Sequence, residues 1–283
     1  MEIRPMTNAD VAGVMRVQQD ALLADASMPA EPTDRTLGRM VARVEHLLAT
    51  DPEGAWVATH DGAVIGVAMA LVREGLWGLS LLAVAPERQA QGIGRRLLDA
   101  TSECAAGTRG RMILSSEDPK AMRRYARAGL ELRPCLDAAG IVDRSRLPAP
   151  DPRVRVGTTA DVESTATASR FVRGASHAGD LPVYTDHGMR LLLFEDRGFA
   201  CHVGGSPRLL AATDEEAAAA LLWACLADAP PGATTIISFL TAGQDWAIAV
   251  ALEAGLALSP AGPVCVSGDV GPLRPYVPNG AFL

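Results

Sequence analysis

The stretch R-Q-A-Q-G-I-G-R-R-L-L, residues 88–98, decides how the first half of the chain folds. A run of β-forming residues, Leu76 to Val84, precedes it, and apolar residues recur at helical spacing from Ile93 onward. Gly92 and Gly94 lie in the turn between them. The pattern predicts a strand, a glycine-rich turn and a helix, with the first backbone N–H groups of the helix left open to a ligand.

Such a turn is typical of anion sites, because the first N–H groups of a helix lack internal partners and the helix dipole favours negative charge there. Arg88, Arg95 and Arg96 add positive charge that can pair with phosphate. The nucleotide-binding P-loop requires a lysine after its last glycine, but Arg95 follows Gly94. The dinucleotide fingerprint requires a third glycine where Leu97 stands. A turn that only begins a helix remains the alternative.

Periodicity and turn residues predict the order β-α-α-β-β-β-α-β-α for the first half of the chain. The predicted elements are a strand at Ile3–Pro5, a helix capped by Thr7 or Asn8, a helix at Thr33–Leu48, a hairpin (Ala55–His60 and Ala63–Val72) with a D-G turn, the strand Leu76–Val84, a helix at about Gly92–Ala106, a strand at Met112–Ser115, a helix at Pro119–Ala128 ended by Gly129, and a last strand pair near Leu132 and Ile141.

The segment L-P-A-P-D-P, residues 147–152, predicts a semi-rigid linker, because three of its six residues are prolines. It separates residues 1–146 from residues 153–283. We predict one domain on each side, the second with an extended C-terminal tail.

The second domain repeats the order of the first. T-T-A-D-V at 158–162 resembles M-T-N-A-D-V at 6–11, and L-E-A-G-L at 252–256 takes the place of A-R-A-G-L at 126–130. Predicted strands at 153–156, 189–194, 199–203, 208–212 and 234–239 and helices at 214–227 and 244–254 follow the same order. We therefore predict a tandem repeat of one α/β unit.

The glycine turn and its flanks resemble the acetyl-CoA signature of the GNAT superfamily of N-acetyltransferases. The family motif [QR]-x-x-G-x-[GA] is matched by Gln89, Gly92 and Gly94. A second family motif, A-x-x-x-Y-x-x-x-G-[FL], is matched by Ala121, Tyr125, Gly129 and Leu130. The resemblance covers residues 1–145 in motifs and order, and residues 151–283 in order only.

The resemblance implies two tandem GNAT-like α/β domains, each a mixed, mostly antiparallel twisted sheet flanked by helices, with a V-shaped opening between two strands. It also implies acetyl-CoA as cosubstrate, with its pyrophosphate on the glycine turn and its pantetheine arm paired along the preceding strand. The implied cofactor-binding residues are Leu82, Ala83, Val84, Arg88, Gln89, Ala90, Gln91, Gly92, Ile93, Gly94, Arg95, Arg96, Asp118 and Ala121. Family members often have Asn near Asp118, so that contact stays open.

The implied reaction is acetyl transfer to a small amine. Tyr125 stands at the family position of the general acid, which protonates the leaving thiolate; a tyrosine that only packs or binds the cofactor is the alternative. Glu74 is a candidate base, and a solvated turn residue is the alternative at its position. His60 or a chain of water molecules could also take the proton.

The second domain is predicted to be degenerate. The segment that corresponds to the glycine turn is L-A-A-T-D-E-E, with acidic Asp214, Glu215 and Glu216 at the helix start and no glycine. Acids there cap a helix but repel pyrophosphate. Leu252 stands where the first domain has Tyr125. We therefore expect one CoA per chain, and a tail that either packs on its own domain or lines the acceptor cleft.

Composition excludes several other classes of function. The net charge of −7 disfavours nucleic-acid binding, and no apolar run reaches the about 18 residues of a membrane span. Five scattered cysteines and five histidines predict free thiols and no metal site. We expect a cytoplasmic protein, and a homodimer is possible. A non-catalytic acyl-CoA sensor and an acyltransferase for a protein amine or an O-acceptor are the alternative functions.

Overall fold

A computed structural model describes residues 1–23 and 33–283. These residues form two compact units. Unit 1 comprises residues 1–108 and 280–282, and unit 2 comprises residues 109–279 with Leu283. The boundary between the units, at residues 108 and 109, lies well before the predicted linker at 147–152. The compact units and the predicted repeats therefore have different boundaries. The predicted domain boundaries stay a prediction.

Unit 1 is a four-stranded antiparallel sheet with helices packed on it. Its strands pair in the order β1-β2-β3-β4. The elements are β1 (Glu2–Pro5), α1 (Val11–Leu23), α2 (Asp34–Thr50), β2 (Ala55–His60), β3 (Ala63–Arg73), β4 (Leu76–Val84) and α3 (Ile93–Thr101). The β2–β3 hairpin turns at Asp61 and Gly62, both with positive φ, as the D-G pair predicts. The helix predicted to run to Ala106 ends at Thr101 and continues as a short 3₁₀ turn.

Unit 2 holds two antiparallel strand sets. Its elements are β5 (Gly110–Leu114), α4 (Pro119–Arg127), β6 (Glu131–Ile141), β7 (Val154–Val156), α5 (Ala166–Arg173), α6 (Leu181–Thr185), β8 (Arg190–Phe194), β9 (Gly198–Val203), β10 (Ser206–Ala212), α7 (Glu215–Ala227), β11 (Thr234–Thr241), α8 (Asp245–Glu253), β12 (Ala257–Gly268) and β13 (Tyr276–Val277). One set pairs in the order β5-β12-β6-β11 and the other in the order β13-β10-β9-β8-β7.

The first set explains why the compact units differ from the predicted repeats. β12 of the second half lies between β5 and β6 of the first half, and β6 lies between β12 and β11. The two halves therefore exchange strands. The strand pair predicted near Leu132 and Ile141 is wrong: β6 is one continuous strand, because both of its edges find partners from the second half.

A shared hydrogen-bond network supports the internal repeat. In each half, an aspartate at the start of the first helix binds the threonine three residues before it and an arginine on the preceding strand. The residues are Arg4, Thr7 and Asp10 in the first half and Arg155, Thr158 and Asp161 in the second. The threonine N–H donates to the carboxylate at 2.8 Å in both, and the guanidinium donates at 2.7 and 2.6 Å.

The core of each unit is aliphatic. In unit 1, Ile93 and Leu97 of α3 are buried against Ala58, Ile65 and Ala68 of the sheet. In unit 2, α7 and α8 bury a larger cluster against β8, β9, β10 and β11. All five cysteines are free thiols; four are buried and Cys104 is partly buried. Among the described residues, no helix has both the length and the apolar character that crossing a bilayer requires.

Candidate functional site

The start of α3 is fixed by close packing on the sheet. A Cβ on Gly66 of β3 would lie 3.0 Å from Leu97 Cδ1 and 3.3 Å from Ile93 Cγ2. The absence of a side chain at Gly66 therefore lets α3 approach β3 closely. This contact holds the N-terminus of α3 directly after the end of β4.

The turn between β4 and α3 has the open backbone that the sequence predicts. Gly92 is the N-cap of α3 with φ +80°, a conformation that favours glycine, and nothing lies within 4 Å of the position its Cβ would take. The N–H groups of Arg95 and Arg96 donate to Gly92 O at 3.1 and 3.2 Å. Within residues 1–23 and 33–283, the N–H groups of residues 91–94 find no backbone acceptor. These donors are available to an anion.

Positive side chains surround this turn. Arg95 is 80% exposed, with Asp99 Oδ2 3.7 Å from its Nε, and Arg96 is exposed beside it. Arg88 is partly buried before the turn. The Gln89 amide donates to Val84 O at 3.3 Å, which ties the turn to the end of β4. Arginines that are exposed next to open N–H groups suit a phosphate ligand.

The strand predicted to pair with pantetheine carries a bulge. Leu82, Ala83 and Val84 pair with β3 in regular register, but Met69 pairs with Leu81 and Ala70 with Leu79. Ser80 is the extra residue. It is 8% exposed, and its hydroxyl has no hydrogen-bond partner among the residues that the structure describes. Sequence reasoning missed Ser80, because a serine in a strand gives no sign of a bulge.

Tyr125 lies on α4, in unit 2. It is 6% exposed, and burial raises the pKa of its hydroxyl to about 12. The phenol is therefore protonated at any physiological pH and can serve as a proton donor. Gly129, with φ +85°, ends the helix, and the N–H of Leu130 donates back to Tyr125 O at 3.2 Å. This termination is the one that the sequence predicts.

Two further candidates lie on the same helix. Asp118 is the N-cap of α4, and its Oδ1 accepts from the Lys120 N–H at 2.9 Å. This cap gives Asp118 a structural role beside the predicted cofactor contact. Ala121 is partly buried one helical turn before Tyr125, so the two residues share a face of the helix.

Glu74 lies far along β4 from the glycine turn. It has φ +47°, followed by Gly75 with φ +78°, and the pair forms the exposed β3–β4 turn. Glu74 lies before Leu76, the first residue of β4, and the strand from Leu76 to Leu82 spans roughly 15–20 Å at about 3.3 Å per residue with its bulge. A carboxylate at that distance cannot take a proton from a group held beside Leu82, so the geometry disfavours Glu74 as the base.

The candidate residues are thus distributed over both units. Unit 1 brings together the end of β4, the glycine turn and the start of α3, and Glu74 lies away from them. Unit 2 brings together Asp118, Ala121 and Tyr125 on α4.

Comparison with known proteins gives a family-model match to part of the chain and a fold. Residues 51–130 match the family model described as an acetyltransferase (GNAT) domain. No curated protein sequence gives a significant match.

Solved structures extend the likeness to both halves. A putative acetyltransferase from Pyrococcus horikoshii is 16% identical with a TM-score of 0.79, over 98% of this chain and 93% of that one. A GCN5-related N-acetyltransferase from Sphaerobacter thermophilus is 15% identical with a TM-score of 0.60, over 95% and 96%. A tandem GNAT protein from the clavulanic acid biosynthesis pathway is 15% identical with a TM-score of 0.59, over 95% and 98%. At these identities the likeness shows the fold, a mixed α/β fold with mostly antiparallel sheets flanked by helices.

Proposed function

We propose that this chain is an acetyl-CoA-dependent N-acetyltransferase that acts on a small amine, because residues 51–130 match the model of a GNAT acetyltransferase domain. The observation that carries the proposal is the turn before α3, where Gly92 leaves backbone N–H groups open beside exposed arginines. A helix start with unpaired donors that no side chain covers suits a pyrophosphate. Acetyl-CoA supplies the acetyl thioester as cosubstrate.

The residues of the chain supply three functions in this proposal. The N–H groups of residues 91–94, with Arg95 and Arg96, bind the pyrophosphate. The backbone of Leu82–Val84 pairs with the pantetheine arm and donates to the thioester oxygen as that oxygen gains charge. The neutral amine nitrogen bonds to the acetyl carbon and loses a proton to solvent, and Tyr125 donates its proton to sulfur as the bond between the acetyl carbon and sulfur breaks. Solvent then returns a proton to the Tyr125 oxygen. The products are the N-acetyl amide and CoA thiol.

The identity of the proton acceptor is open. The distance along β4 argues against Glu74, and a water chain from the amine to solvent needs no side chain. The acidic second half favours a cationic acceptor, since residues 151–283 carry eight basic and fourteen acidic side chains. We also propose that the acceptor is a small amine, that the protein is cytoplasmic and that it forms a homodimer.

The test is release of free thiol from acetyl-CoA by the full chain with a panel of primary and secondary amines. We expect turnover with at least one cationic small amine. Binding of acetyl-CoA without turnover of any amine, peptide or alcohol would favour the acyl-CoA sensor. Turnover with a peptide amine or an alcohol, and with no small amine, would favour the other acyltransferase.

A further inference from the structure

The second half contains a cleft between two strands, and the tail of the chain lies in it. β10 and β11 begin side by side, where the Ile236 N–H donates to Ser206 Oγ at 3.0 Å, but they belong to different sheets. Further along, β13 pairs antiparallel with β10, Leu210 with Val277 and Ala211 with Tyr276. β13 also contacts β11. A segment of the tail therefore occupies the space into which β10 and β11 diverge.

This cleft corresponds to the proposed cofactor site of the first half. In the repeat, β10, α7, β11 and α8 take the places of β4, α3, β5 and α4. L-A-A at 210–212 then corresponds to L-A-V at 82–84, the residues proposed to pair with pantetheine. β13 pairs with the same stretch of strand in the second half. The correspondence rests on the proposed function of the first half.

A buried glutamine holds the segment in the cleft. Gln244, directly before α8, is 1% exposed. Its Nε2 donates to Leu273 O at 2.6 Å, and its Oε1 accepts from the Tyr276 N–H at 3.2 Å and from Trp246 Nε1 at 2.8 Å. In the first half the corresponding residue at the start of α4 is Asp118. The Gln244 amide thus binds the backbone of the tail on both sides of residue 275.

Further hydrogen bonds anchor both ends of the segment. Leu273 N–H donates to Val172 O at 2.7 Å, and the Asn279 amide donates to Arg208 O at 2.8 Å. Tyr276 is 1% exposed, with its hydroxyl 3.1 Å from His177 Nε2. The cavity that remains beside the segment measures about 10 Å³, which is room for one water molecule at most. The cleft is filled.

We propose that residues 273–279 are an intramolecular ligand that occupies the cofactor cleft of the second half. The segment pairs with the backbone groups that β10 would otherwise offer to pantetheine. The second half is therefore closed to CoA by occupancy as well as by the acidic start of α7. Removing the acidic charges alone does not open it.

The first arm of the test measures binding stoichiometry by calorimetry with acetyl-CoA. The full chain is compared with its Glu215→Gln/Glu216→Gln variant, which removes two charges at the start of α7 and keeps the Asp214 cap. We expect one acetyl-CoA per chain in both. Two per chain in the variant would show that charge alone closed the second cleft and would overturn the proposal.

The second arm measures hydrogen exchange of the Leu273 and Tyr276 amides in the wild-type chain. We expect exchange at least 100-fold slower than in an unstructured peptide, unchanged by saturating acetyl-CoA. Exchange at the unstructured rate, or loss of protection on adding acetyl-CoA, would overturn the proposal. This arm stands even if the chain binds no acetyl-CoA, a result that would refute the proposed function alone.

A substitution in the second arm tests whether Gln244 holds the tail segment in place. Gln244→Ala removes both contacts to the tail backbone, so exchange at Tyr276 should rise at least tenfold. Gln19→Ala, the same change at a partly buried glutamine of α1, is the control and should leave that amide unchanged. Equal exchange in the two variants would remove Gln244 from the proposal.

Discussion

Substitution of Gly92 tests the proposed pyrophosphate site with a matched pair of variants. Gly92 has φ +80° and open space around its Cβ position, so a side chain there clashes with nothing. Asn and Asp are the side chains that tolerate this conformation best, each at a cost of about 1–2 kcal/mol. Gly92→Asp and Gly92→Asn therefore share shape and strain and differ in one negative charge, which lies beside the open N–H groups.

The expected effect of that charge follows from Coulomb's law. Two unit charges 5 Å apart in water repel by about 0.8 kcal/mol, and a pyrophosphate presents about two charges. The sum, about 1.6 kcal/mol, is a little more than a tenfold change in affinity. A lower local dielectric would increase the effect, while salt at 0.15 M screens it beyond about 8 Å. We expect Gly92→Asp to bind acetyl-CoA at least tenfold more weakly than Gly92→Asn.

Titration calorimetry measures both affinities, and thermal unfolding checks that the two variants have the same stability. The difference between them should shrink as salt rises, because its origin is charge repulsion. Equal affinities at low salt would refute the assignment of the pyrophosphate to this turn. A large loss in both variants would instead indicate that bulk, not charge, excludes the ligand.

Four further substitutions test the proposed catalytic role of Tyr125, the ion pair of Asp10 and the packing of α3. Tyr125→Phe should lower kcat by about 10²–10⁴-fold with little change in acetyl-CoA affinity. Because burial raises the pKa of Tyr125 to about 12, the kcat of the wild-type chain should show no loss from ionisation of Tyr125 below about pH 10. Asp10→Asn should lower the free energy of unfolding by about 2 kcal/mol at pH 7 and by almost nothing at pH 2. The hydrogen bond from Arg4 lowers the pKa of Asp10 to about 2 in the folded chain. The stabilisation by the Asp10 carboxylate is therefore lost as pH falls from about 4 through about 2. Gly66→Ala should destabilise the chain by about 1–3 kcal/mol, because the added methyl group pushes α3 from the sheet. Gly38→Ala, at an exposed site within α2 with open space around it, should stabilise the chain by about 0.5–1 kcal/mol. Chemical denaturation measures both free energies of unfolding, and equal changes in the two variants would contradict the packing explanation.

Local signals predict much of the first half. The strands Ala55–His60 and Leu76–Val84 match the sequence prediction residue for residue. A D-G turn and an E-G turn fix their ends, and such turns need positive φ, which few residues other than glycine, asparagine and aspartate adopt readily. Gly129 fixes the end of α4 in the same way. Where a turn residue determines the boundary, the sequence is sufficient.

The exchanged strand could not be predicted from local signals. β12 contains Pro260, Gly262 and Pro263, which are typical of a loop. A Cβ at Gly262 would lie 2.1 Å from Ser115 O, so the glycine is required by a neighbour far away in the sequence. The same holds for β13, which is two residues long and exists because β10 offers it an edge. The partners of a strand are a property of the whole fold.

The same distinction between local signals and long-range contacts holds for the candidate site. Short motifs identify the glycine turn and Tyr125, and the resemblance to the family suggests Asp118; the structure gives each a defined local geometry. Ser80 depends on a slip in register between β3 and β4, which composition does not encode. From the sequence alone Glu74 is a plausible base, because it is acidic and adjoins a candidate strand. Only the direction and length of β4 show that Glu74 lies away from the glycine turn.

The two halves meet one physical requirement in opposite ways. The first N–H groups of a helix and the free edge of a strand must find partners. In the second half the chain supplies them: Asp214 Oδ1 accepts from Ala217 N–H at 3.0 Å, Arg197 pairs with Asp214, and β13 covers β10. In the first half the residue at the helix start is Gly92, which has no side chain to act as a cap. Donors left open in one copy of a repeated fold and satisfied internally in the other favour a ligand in the open copy, which is why we expect acetyl-CoA in the first half alone.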